Sequence, residues 1–92
     1  MESMRDLLRE ELAHSLQALP PIERLAMGWP VAAGASIAAR SSVSALENGV
    51  CTVEVDTPEW LTQLRSMEER LRILLAEVAK VPLTALHFKQ KP

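Results

Sequence analysis

DTPEWLTQLRSMEERLRILLAEVAK, Asp56 to Lys80, is the stretch on which the fold turns. It opens with helix-start chemistry. Asp56 or Thr57 can cap the free backbone donors, Pro58 suits the first helical position, and Asp56 with Glu59 has capping-box spacing. Trp60, Leu64, Met67, Leu71, Leu74 and Val78 then recur at three- and four-residue steps, one apolar stripe of an α-helix. Thr62, Arg65, Glu69, Arg72 and Lys80 take the other face, with Ile73 among them. Pro82 ends the pattern. The reading is one long amphipathic helix, Pro58 to about Lys80, that needs an apolar surface beneath it.

The sequence just before it supplies that surface. Asn48-Gly49 has the residue types of a type I′ hairpin turn, which needs positive φ at both central positions. It joins SSVSALE to VCTVEVD and sets a register. Glu47 should face Val50, Leu46 face Cys51, Ser44 face Val53, and Ser42 face Val55. Leu46, Cys51, Val53 and Val55 would then line the core. Val43, Ala45, Val50, Thr52 and Glu54 would line the other side. After Pro82, LTALHFKQ reads as a third strand, with Leu86 and Phe88 inward and Ala85, His87 and Lys89 outward.

Upstream, Met4, Leu8, Leu12, Ser15, Leu16 and Leu19 lie near one face of an expected first helix, residues 1–20. Pro20-Pro21 separates it from a second, in which Ile22, Leu25, Trp29 and Ala33 form a stripe. Pro30 falls inside that stripe and predicts a kink or a fresh start at Trp29-Pro30. Gly34 and the alanines after it are small enough for close backbone packing. The expected order is helix, kinked helix, strand, strand, long helix, strand. That is an α+β domain, residues 1–92, with a core over 21–90 and a three-stranded sheet carrying helices on one face. Its predicted core is Trp29, Gly34, Leu46, Val53, Val55, Trp60, Leu64, Met67, Leu71, Leu74, Val78, Leu86 and Phe88.

Composition narrows the function classes. The 92 residues are 48% hydrophobic, which fits one modest, mostly aliphatic core. Net charge is −2. Residues 57–92 hold six basic and four acidic side chains, a net +2, which leaves −4 for the first 56. Autonomous DNA binding usually rests on a dominant basic patch, and this balance is not one. Cys51 is the only cysteine, so no intramolecular disulfide forms. MESMRDLLREEL lacks the apolar run of a signal peptide, and Val31 to Ala39 is too short to span a bilayer. A cytoplasmic location is expected.

No residue pattern reads as an active site. His14 and His87 are far apart and share no metal-ligand spacing with Cys51. Three glycines make no phosphate loop. Glu68 and Glu69 are adjacent on a helix and point about 100° apart. No catalytic residue, metal or cofactor is expected. Cys51 reads as a small core hydrophobe, and Trp29 and Trp60 as core aromatics.

Taken together, several segments carry a family pattern. Trp29-Pro30 with Val31 and Gly34 leads to Ile37-Ala38 and Arg40-Ser41. Leu46 through Asn48-Gly49, Val53-Glu54-Val55, Trp60 with Leu64, and Leu86-His87-Phe88-Lys89 follow. In this order the chain resembles the DciA family over roughly Leu25 to Lys89. The resemblance implies a KH-like fold and a non-enzymatic role in chromosome replication, as an adaptor or loader of the DnaB-type replicative helicase. It also implies some DNA affinity. Ser44 and Cys51 stand where the family usually has aliphatic residues. A basic extension of the kind many members carry is not expected, and these 92 residues hold no Gly-x-x-Gly clamp of nucleic-acid-binding KH domains. DNA binding is therefore expected to be weak and non-specific, with a KH-like nucleic-acid module as the alternative reading. Val43, Ala45, Val50, Ala85 and His87, on the sheet face away from the long helix, are the candidate partner-binding residues. Arg65, Arg72, Ile73, Lys80, Lys89 and Lys91 are the alternative partner or nucleic-acid face.

Overall fold

The structure, a computed structural model, describes residues 19–92. The helix expected over residues 1–20 lies almost entirely outside them. Helix α1 spans Pro21–Ala33 and runs unbroken through Pro30. The fresh start expected at Trp29-Pro30 as the alternative to a kink does not occur. Pro30 is exposed, so the backbone carbonyl it leaves without a donor faces the solvent side of the helix. The helix stops instead at Gly34, whose φ of 93° and ψ of 159° belong to a region open essentially to glycine alone. Nothing lies within 4 Å of where a Gly34 Cβ would stand. Gly34 therefore serves the turn into the short helix α2, Ala35–Ala38, and is not the core residue expected from its size. The glycine that does serve packing is Gly28. A Cβ there would meet Val78 Cγ1 at 3.2 Å and Ala79 Cβ at 3.5 Å.

Strands β1 (Ser41–Glu47) and β2 (Val50–Val55) form the expected hairpin, with Asn48 at φ 52° and Gly49 at φ 80°. Near the turn the register is as predicted: Glu47 opposite Val50 and Leu46 opposite Cys51. Further along it departs. Ala45 pairs with Thr52, Val43 with Val53, Ser42 with Glu54 and Ser41 with Val55. Ser44 is the extra residue of a β-bulge between Val43 and Ala45. Its hydroxyl donates to the Thr52 carbonyl at 3.3 Å. A one-residue bulge swaps the faces of everything beyond it. Val43 consequently lies on the core side, and Ser42 on the open side.

The long helix is two helices. Helix α3 spans Pro58–Ser66 and α4 spans Glu68–Ala79, with Met67 between them at φ −107°, ψ 9°. Thr57, not Asp56, caps α3: its Oγ1 accepts from the Trp60 N–H at 3.3 Å. The break rotates the apolar stripe. Leu64 and Leu71 are buried as predicted, but α4 continues inward with Leu75 and Ala79, while Leu74 and Val78 are only half-buried. A left-handed Lys80 (φ 57°) ends α4, with the Val81 N–H reaching back to the Ala76 carbonyl at 3.2 Å. Arg24 of α1 donates to the carbonyls of Ala79, at 3.1 Å, and of Lys80. These are among the carbonyls a helix end leaves unpaired.

Strand β3 (Ala85–Gln90) lies parallel to β2, giving the order β1-β2-β3. The protein is thus α+β with a mixed three-stranded sheet, in the expected KH-like order except for the divided long helix. Cys51, Val53, Val55, Leu86 and Phe88 bury one sheet face beneath the helices, beside Leu25, Trp29, Ile37, Leu64, Leu71, Leu75 and Ala79. Leu46, Trp60 and Met67 pack at its margin. Val81 and Leu83, in the connection after α4, are buried as well. The Trp29 ring sits 6.4 Å from Phe88, and its Nε1 donates to Ser41 Oγ at 2.9 Å. Ser41 Oγ in turn donates to the Ile37 carbonyl at 2.6 Å.

Candidate partner-binding face

Alternation along three strands puts every second side chain on the face away from the core. The observed pairings arrange these into rows across the sheet: Glu47, Val50 and Ala85; then Ala45, Thr52 and His87; then Ser42, Glu54 and Lys89. Four of the five predicted residues share this face. Ala45 and His87 are exposed, and Val50 and Ala85 half-buried. The fifth, Val43, does not belong to it, because the Ser44 bulge turns it to pack against the core. The apolar part is therefore smaller than the sequence suggested and lies toward the hairpin end. Lys89 and Glu54 sit opposite each other in the row farthest from that end, unlike charges on neighbouring strands.

The hairpin end is firmly held. The Thr84 N–H donates to the Gly49 carbonyl at 2.8 Å, tying the turn to the start of β3. At the other end the Lys91 N–H donates to the Val55 carbonyl at 2.8 Å. The face is thus tied between β2 and β3 at both ends.

The alternative set is spread over several elements. Arg65 is exposed on α3, Ile73 on α4 and Lys80 just beyond it. Lys89 belongs to the open sheet face, and Lys91 follows it. Arg72 is engaged elsewhere: its guanidinium donates to the Leu83 carbonyl at 3.2 Å and braces the connection into β3. Ile73, 50% exposed, borders a shallow depression of about 430 Å³ shared with Glu69, Arg70 and Leu74. Sequence reasoning singled out Ile73 as misplaced among charges but did not foresee Leu74 beside it. That followed only from the rotated stripe.

Cys51 is fully buried in the central strand. Burial pushes its thiol up from 9.0 to about 11, so it stays protonated at neutral pH. Among the described residues, no group of His, Cys, Asp and Glu could hold a metal ion. None of their helices is long and apolar enough to cross a membrane.

No curated protein matches the chain. A family model does: the Dna[CI] antecedent, DciA, matches residues 3–88. That span takes in the divided helix, the hairpin and most of β3. The chain belongs to the DciA family, which gives it a role of the helicase-loader kind in replication.

Proposed function

We propose that this protein is a non-enzymatic adaptor that binds a DnaB-type replicative helicase, with the open sheet face as the contact. Family membership carries the choice of partner. The surface is supported by the row structure: Val50 and Ala85 lie side by side at the hairpin end with Ala45 in the next row, a small apolar area bordered by Glu47, Thr52 and His87, with Glu54 and Lys89 beyond. Many protein interfaces are arranged in this way. DNA contact is secondary, weak and without sequence preference, since the basic side chains are scattered and the chain is net acidic.

Co-purification with the hexameric helicase tests both partner and surface. Val50→Glu should reduce helicase retention severalfold, and Ile73→Glu should leave it unchanged. Ile73→Glu should stay within about 1 kcal/mol of the parent in stability, as surface substitutions usually do, and a denaturant melt of Val50→Glu, a half-buried site opposite Glu47, separates lost binding from lost folding. Retention by an apolar contact should persist as salt is raised, whereas phosphate-dominated binding weakens steeply. Normal binding by Val50→Glu with loss in Ile73→Glu would move the contact to α4. Failure of the parent protein to retain the helicase would end the adaptor reading.

A further inference from the structure

Helix α4 turns Leu71, Leu75 and Ala79 to the core, with Gly28 of α1 set against Val78 and Ala79. Its outer side should be polar by the same periodicity, yet it carries Ile73 at 50% exposure, with Leu74 half-buried beside it. These two border the depression of about 430 Å³, whose remaining wall is Glu69 and Arg70. Apolar exposure by itself names no partner. The charges around this pair do.

Arg70 and Glu77 are both exposed. Seven residues make nearly two full turns, so the two stand almost on one line along α4, about 20° apart. Ile73 and Leu74 lie to either side of that line at its midpoint. Glu69 is turned about 100° round the helix from Arg70, off the line. The surface thus reads basic, apolar pair, acidic, with the opposite charges equidistant from the centre. Such a surface is complementary to itself. A half-turn about an axis between Ile73 and Leu74 sets Arg70 of one copy opposite Glu77 of the other, and Ile73 opposite Leu74, each pairing occurring twice. This symmetry favours a second copy of the chain over an unrelated occupant.

We propose that the protein forms a weak homodimer through α4, with the two helices antiparallel about the midpoint of Ile73 and Leu74. Ile73 of one copy packs on Leu74 and the depression of the other, and an Arg70–Glu77 pair closes each end. Two turns of one helix make a small contact, so the association is a transient one. It lies on the helix side of the molecule and leaves the open sheet face free for another partner.

Charge exchange in the whole chain tests the pairing. Arg70→Glu sets acid against acid at both ends of the dimer, and Glu77→Arg sets base against base. Mixed in equal amounts, the two variants restore opposite charges at both ends. Sedimentation velocity over a concentration series up to about 1 mM should show the parent associating with itself. Each variant alone should associate about tenfold more weakly, the scale of two surface ion pairs turned to repulsion. The mixture should regain the parent's affinity. Both positions are exposed, so neither change should disturb the fold, and the double variant Arg70→Glu with Glu77→Arg should match the parent. A parent that stays monomeric throughout the series overturns the proposal. So does association that neither single variant weakens, or a mixture that regains nothing, which would put the contact in another register or on another surface.

Discussion

Cys51 sits at 0% exposure in the middle of the sheet, where a thiolate would lose its hydration without gaining a partner. The consequence for stability has a definite sign. The folded thiol ionises near 11 and the unfolded one near 9.0, so the folded state holds the proton more tightly. This contribution is complete below pH 9 and is lost progressively as pH rises towards 11. Urea melts should therefore show a steeper loss of stability between pH 9 and 11 for the parent than for Cys51→Ala. Parallel pH profiles would show that the thiol is hydrated in the fold. At neutral pH, thiol reagents should label Cys51 only at the rate of unfolding. The burial of Cys51 was legible from the alternation of VCTVEV. The Trp29–Ser41–Ile37 hydrogen-bond chain was not, because its partners come together only once α1, α2 and β1 are assembled.

At the scale of the element, the instructive case is the division at Met67. Nothing between Gln63 and Glu68 is proline or glycine, and every residue tolerates a helix. A stripe drawn without a break therefore ran through Leu74 and Val78. The protein instead bends at Met67 and sends Leu75 and Ala79 inward. The Leu71 N–H still finds the Met67 carbonyl at 3.0 Å, so the turn costs few hydrogen bonds. Such a bend depends on packing against α1 and β3, which no local window contains. Alanine substitution distinguishes the two registers. Leu75→Ala should cost about 2–5 kcal/mol, the range for a fully buried leucine, and Leu74→Ala clearly less. Equal losses in denaturant melts would restore the unbroken helix. The local signals held: Thr57-Pro58 starts α3, and Asn48-Gly49 turns the hairpin. The arginines that brace the end of α4 and the connection after it did not show in sequence. Arg24 reaches carbonyls 55 residues away in the chain, and Arg72 spans 11.

At the scale of the whole molecule, the hairpin is local, but β3 joins the sheet only after the chain has passed through α3 and α4. The sequence carried the strands and their order along the chain, yet not the parallel pairing. The placement of Ala45, Val50, Ala85 and His87 on the open face was legible because it depends on simple alternation. Val43 was misplaced because a bulge leaves no mark in residue types: SSVSALE alternates as well with Ser44 paired as without. That bulge also bears on how one copy would meet another. Among the described residues β1 is an edge strand, with one row of backbone groups unclaimed by any other strand. A straight, flat edge invites another chain to add a strand, and an irregular one discourages it. Deleting Ser44 would leave Val43 adjacent to Ala45 and preserve every other observed pairing, Ser41 with Val55 through Glu47 with Val50. Such a variant should fold with a regular hairpin and associate with itself more strongly than the parent at equal concentration, as read by sedimentation velocity. Ser44 would then be a guard against aggregation, retained at some expense of sheet regularity.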